Sequence, residues 1–146
     1  MKKLFYTAFT IILCALFSCE TVPEAINYGN DACAFCKMTI VDQQHASQYV
    51  TKKGKQFKFD AIECMLNDIT EKDIDKIEIL LVADYKNPGT VVAADQATYL
   101  ISKEIKSPMG AYLSAFSSQE VASQTLEQSG GKLYTWSEIL QKYDDE

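Results

Sequence analysis

The sequence predicts an α+β fold in one domain made of two small, similar ββαβ-like halves. Strand-like and helix-like patches follow the order strand, strand, helix, strand, and a weaker version of that order returns in the second half. About 128 residues run from Cys19 to Glu146, a length that suits one domain with its own core. Only Cys33, Cys36 and Cys64 remain after that start, and an odd cysteine count argues against a disulfide scaffold.

The chain opens Met1-Lys2-Lys3 and then runs apolar from Leu4 to Phe17. A short basic stretch before an apolar run is the pattern of a secretory signal. The run is too short to span a bilayer, which takes ~20 apolar residues. It ends Leu16-Phe17-Ser18-Cys19, which looks like a bacterial lipobox, although Phe17 is bulky for its place. On that reading residues 1–18 are a lipoprotein signal peptide, Cys19 is acylated, and the lipid anchors the protein to a membrane. Ordinary cleavage nearby is the alternative, and it would leave Cys19 a free thiol. Inner and outer membrane are not distinguished.

Residues 19–30 carry Pro23 and Gly29, show no apolar period, and read as a tether. The domain is expected over 31–146, with halves at about 31–86 and 90–146. Met38-Thr39-Ile40-Val41 is β-rich and predicts a strand. Gln48–Thr51 and Gln56–Phe59 flank the turn signal Lys52-Lys53-Gly54-Lys55 and predict a hairpin. Asp60 stands at a helix N-cap with Glu63 three residues on, as in a capping box. Ala61, Ile62, Met65, Leu66 and Ile69 then recur at helical spacing. A charged turn over 72–76 precedes the most apolar strand, Ile77–Val82. In the second half Ala97–Ile101 predicts a strand and Ala111–Phe116 a short apolar helix or turn. Residues 118–128 predict a helix between Ser118 and Gly130-Gly131. A short strand at Lys132–Tyr134 and a helix at Trp136–Tyr143 complete the chain.

All 14 cations are lysines, against 20 acids, for a formal charge of −6 that becomes −8 without Lys2 and Lys3. Nucleic-acid binding wants a basic patch and uses arginine heavily, so that class is excluded.

The chemistry concentrates in Asp31-Ala32-Cys33-Ala34-Phe35-Cys36-Lys37-Met38. A CxxC pair can be a redox dithiol, a structural disulfide, half of a zinc site or a haem attachment. Haem attachment usually needs histidine where Lys37 stands. Zinc wants four ligands, and His45 sits in a polar loop. Met38 adds a thioether two residues after Cys36. In extended chain those two side chains share a side. Thiolate and thioether together are the soft set that suits Cu(I). Met109 lies on a constrained loop, Ser107-Pro108-Met109-Gly110, off any amphipathic stripe. Met65 falls on the apolar helix face and reads as core. Cys64 and His45 are weaker candidate ligands.

Cys33-x-x-Cys36-x-Met38, Phe59-Asp60-x-x-x-Cys64-Met65, Pro108-Met109-Gly110 with Ala115-Phe116, and Gly130-Gly131 together resemble the NosL family of copper-binding lipoproteins. The order and spacing match from about residue 31 to 140. The resemblance implies a periplasm-facing lipoprotein that binds one Cu(I) and supplies copper to nitrous oxide reductase. It also implies two ββαβ-like halves, and it puts Cys36, Met38 and Met109 forward as ligands. Family members often carry a single cysteine at the Cys36 position, followed by glycine. Here Cys33 is an additional thiol and Lys37 replaces that glycine. Two readings follow. One is a metallochaperone, not an enzyme, that serves an apo-cuproenzyme. The other is a membrane-anchored thiol–disulfide oxidoreductase using Cys33 and Cys36. A lipoprotein whose CxxC is only a disulfide is a third.

Overall fold

Two antiparallel sheets, each built by the same chain path, carry the fold. The computed structural model describes residues 21–145. The signal segment and Cys19 lie outside them. In the first sheet β1 (Ser47–Thr51), β2 (Gln56–Phe59), β3 (Ile77–Ala83) and β4 (Val91–Ala93) stand in the order β2-β1-β3-β4. In the second, β5 (Thr98–Ile101), β6 (Leu113–Phe116) and β7 (Lys132–Tyr134) stand in the order β6-β5-β7. Helix α1 (Ile62–Thr70) connects β2 to β3, and α2 (Gln119–Ser129) connects β6 to β7. Each half therefore runs strand, strand, helix, strand, the order that the sequence pattern predicts, and the sheets add that the first of these strands stands between the other two. Helix α3 (Trp136–Asp144) closes the chain.

Side-chain alternation explains how the halves meet. In the second sheet Tyr99 stands opposite Ala115 and Tyr134, and these residues join the main core. Their neighbours Leu100, Phe116 and Leu133 point the other way and form a second, smaller core with Ala122 of α2. The first sheet gives Tyr49 and Phe59 to the main core, where Ile62, Met65 and Leu66 of α1 and Ile139 of α3 pack on them. Met65 is fully buried there, as its helical spacing predicts. Gly131 stands just before β7 where the backbones nearly touch: at φ +108, a Cβ would stand 2.2 Å from the Ile101 carbonyl oxygen. No other residue type fits at that crossing.

Three local expectations are corrected. Met38–Val41 is not a strand. Only Thr39 bridges, to Ala32, because the segment folds back on residues 31–33 instead of reaching a sheet. Ala111–Phe116 holds a strand in place of the short helix or turn. Gly110 and Tyr112 have positive φ, which breaks a helix at its start, and Leu113–Phe116 pairs with β5. Asp60 does not cap α1. The N-cap is Ala61, in extended conformation and without a side-chain bond, and the Asp60 carboxyl turns into the interior. The caps of the later helices are as expected. Ser118 accepts the Val121 N–H, and Thr135 and Glu138 form a capping box.

Candidate metal centre

The cysteine loop is fixed by its own backbone before any metal is considered. The Cys33 N–H donates to the Met38 carbonyl at 2.8 Å, and the Lys37 N–H donates to the Cys33 carbonyl at 3.1 Å. Lys37 takes φ +67 to close this turn, and its ammonium reaches back to the Ala34 carbonyl. A glycine would adopt that φ without cost; lysine here offsets it with a charged hydrogen bond. The loop is then fastened to β2. The Ala34 N–H donates to the Lys58 carbonyl at 2.8 Å, and the Lys58 ammonium meets Asp31 at 2.8 Å. The carboxyl of Asp31 is held below its usual range by Lys58 and by the Asn27 N–H.

Helix α1 brings the third thiol. Cys64 sits in its first turn, and the sulfurs of Cys33, Cys36 and Cys64 lie within 4.8 Å of one another. All three are free thiols; Cys33 and Cys64 are each 1% exposed and Cys36 is half-buried. The cluster is electrostatically uneven. Cys33 is pulled down to about 4, first by the hydrogen bond from the Cys64 thiol and then by backbone N–H groups of Asp60, Cys36 and Phe35. Cys64 is pushed up because its proton is held against Cys33 and because it is buried. Burial also raises Cys36. These shifts favour one thiolate, at Cys33, beside two thiols. A thiolate is the metal-binding form, and further thiols lose protons when a soft ion arrives. Asp60 is raised by burial, and the negative Cys33 adds to that rise.

The other candidate ligands fall into two groups. Met38 and Met109 are 47% and 43% exposed, so both thioethers are open to solvent. Met38 ends the cysteine loop. Met109 stands at the tip of the turn closed by the Gly110 N–H on the Ser107 carbonyl, at 3.1 Å. The Ser107 hydroxyl donates to Glu63, the residue before Cys64. His45 is elsewhere. It is buried, with Nδ1 3.0 Å from Asp42 Oδ2 and Nε2 3.1 Å from Ser114 Oγ. Asp42, His45 and Ser114 stand in the order of a hydrolase relay. Ser114 is wholly buried in β6, so no substrate reaches its hydroxyl. The set is a strut between the loop before β1 and the second sheet.

The sequence ranks Cys64 below the methionines, whereas the fold places it inside the thiol group. Its signal was visible: a cysteine beside the apolar stripe of the helix that follows the hairpin. Glu63 and Ser107 carried no such signal, because their link spans 44 residues.

A family model described as NosL matches residues 25–143. Among solved structures, the fold is similar to the crystal structure of the copper chaperone NosL from Shewanella denitrificans. The TM-score is 0.71 at 22% identity, over 81% of this chain and 95% of that one. No curated protein sequence matches the chain. None of the helices among the described residues is long and apolar enough to cross a membrane.

Proposed function

The chain belongs to the NosL family, and we propose that it is a Cu(I) metallochaperone, not an enzyme, that hands copper to an apo-cuproenzyme such as nitrous oxide reductase. One observation carries this reading: three sulfurs within 4.8 Å of one another, two of them buried. Cu(I) takes soft ligands at low coordination number, and such a group suits it better than it suits zinc, which wants four. Cys33 offers a thiolate at neutral pH without help from the metal.

The candidate ligands are Cys36, Met38, Met109 and Cys33, with Cys64 behind them as an alternate, and the ion takes a few of these sulfurs at a time, Met38 and Met109 lying at the entrance. Exposed thioethers suit transfer. They bind Cu(I) without a proton, and a partner's sulfurs can replace them one at a time. His45 is left out, since both its ring nitrogens already have partners. Acylation of Cys19 after removal of residues 1–18 would hold the domain at a membrane, facing the periplasm, within reach of a client.

The test is titration of the reduced protein with Cu(I) against a chromophoric chelator. One ion is expected per chain, and Cys36→Ser with Met109→Leu is expected to abolish tight binding. A double variant that holds copper like the parent overturns the site.

A further inference from the structure

Glu63 is an unusual residue to bury. It is 2% exposed, in the first turn of α1, one residue before Cys64. One carboxylate oxygen accepts the Ser107 hydroxyl, and the other has no partner among the described residues. Burying a carboxylate with an unfilled oxygen costs stability. The first turn of a helix offsets part of that cost by favouring negative charge. What Glu63 holds is the Met109 turn.

Ser107 is the hub of that turn. Its carbonyl accepts the Gly110 N–H at 3.1 Å, and its hydroxyl oxygen accepts the Tyr112 N–H at 2.9 Å. The same hydroxyl spends its hydrogen on Glu63. Pro108 at the second position and Gly110 at the fourth suit such a turn, and Gly110 sits at φ +78. Met109 is left at the tip with an exposed thioether. The turn is therefore stiff within itself and is fastened beside Cys64 through one side-chain hydrogen bond.

We propose that the Glu63–Ser107 hydrogen bond is a latch that sets Met109 relative to the thiol cluster, making Glu63 and Ser107 positioning residues for the metal. This rests on the copper reading above, with Met109 as a ligand. Neither residue touches the ion. Their contribution is to place a soft ligand of the second half against thiols of the first, apart from the place where the Tyr85 N–H donates to the Ala115 carbonyl at 2.8 Å and joins the halves by backbone.

The test is a double-mutant cycle on Cu(I) affinity in the reduced protein, read with a chromophoric chelator. Ser107→Ala is expected to weaken binding about tenfold, within what a lost charge-assisted hydrogen bond can transmit. In a Met109→Leu background the same change is expected to weaken it less than about twofold, since there is no longer a thioether to place. Glu63→Gln keeps an acceptor for the hydroxyl and is expected to stay near the parent, whereas Glu63→Ala is expected to fall with Ser107→Ala. Equal losses from Ser107→Ala in both backgrounds overturn the latch, as does parental affinity in Ser107→Ala while Met109→Leu is weakened. If Ser107→Ala does not fold, the Glu63 pair decides: rescue by glutamine supports the latch and equal loss in both overturns it. Parental affinity in Met109→Leu removes the ligand assignment itself, and the latch with it.

Discussion

The Cys33 and Cys64 sulfurs lie within 4.8 Å of each other across the seam between the cysteine loop and the first turn of α1, and this contact pulls the Cys33 pKa down while it pushes that of Cys64 up. A Cys64 thiol facing Cys33 favours the Cys33 thiolate and is itself held protonated by it. Family likeness alone does not yield this division of labour. It follows from a loop residue and a helix residue facing each other where both are buried.

The first prediction is a pH dependence. Cys33 titrates at about 4 when folded, against about 8.5 for an unfolded cysteine. Its pKa is depressed, so its stabilising contribution is complete above the unfolded value and is lost as pH falls through the folded one. Cys64 works in the opposite sense: its raised pKa costs stability once pH passes the ordinary thiol range. Thiolate absorbance in the reduced, metal-free protein is expected to correspond to one sulfur at neutral pH, with a midpoint near 4. Cys64→Ala removes the donor and is expected to move that midpoint up by more than about one unit. A parent with no thiolate at pH 6 would refute the arrangement.

Much of the fold was legible in the sequence because its signals are local. Gln56–Phe59 alternates polar with aromatic, and Ser118 and Thr135 are caps whose partners lie three residues away. The repeated order of elements is also a local pattern read twice. The misses share another cause. Leu113–Phe116 is short and apolar, a composition that periodicity cannot assign, and only pairing with β5 makes it a strand. Asp60 has the residue type and spacing of a cap, but tertiary burial turned it inward. In the thiol group, Cys33 and Cys36 stand out by their CxxC spacing. The depressed pKa of Cys33 does not, because its cause is a thiol 31 positions away in the sequence and three backbone N–H groups.

His45 supplies the second prediction. As a strut it holds Asp42 on one side and Ser114 on the other, with Tyr85 packed at 5.6 Å. His45→Ala leaves a buried cavity and strands the Ser114 hydroxyl. The expected cost is about 2–4 kcal/mol, read as a fall in Tm of roughly 6–15 °C. The Cu(I) stoichiometry of the folded fraction is expected to stay at that of the parent. Loss of copper without loss of stability would make His45 a ligand instead.

The last prediction separates copper handling from disulfide exchange. In a redox dithiol the attacking cysteine is both thiolate and accessible. Here those properties are divided. Cys33 is the thiolate but is 1% exposed, while Cys36 faces solvent in part and has its pKa raised by burial. The nucleophile cannot reach a substrate disulfide, and the residue that can reach one is mostly protonated at neutral pH. Insulin reduction assayed with dithiothreitol is therefore expected to run at the uncatalysed rate. Met38→Leu and Met109→Leu are expected to leave that rate unchanged while weakening Cu(I). Turnover that needs both Cys33 and Cys36 and survives both methionine substitutions would reverse the assignment, because disulfide chemistry needs the thiols alone and soft-metal transfer needs the thioethers as well.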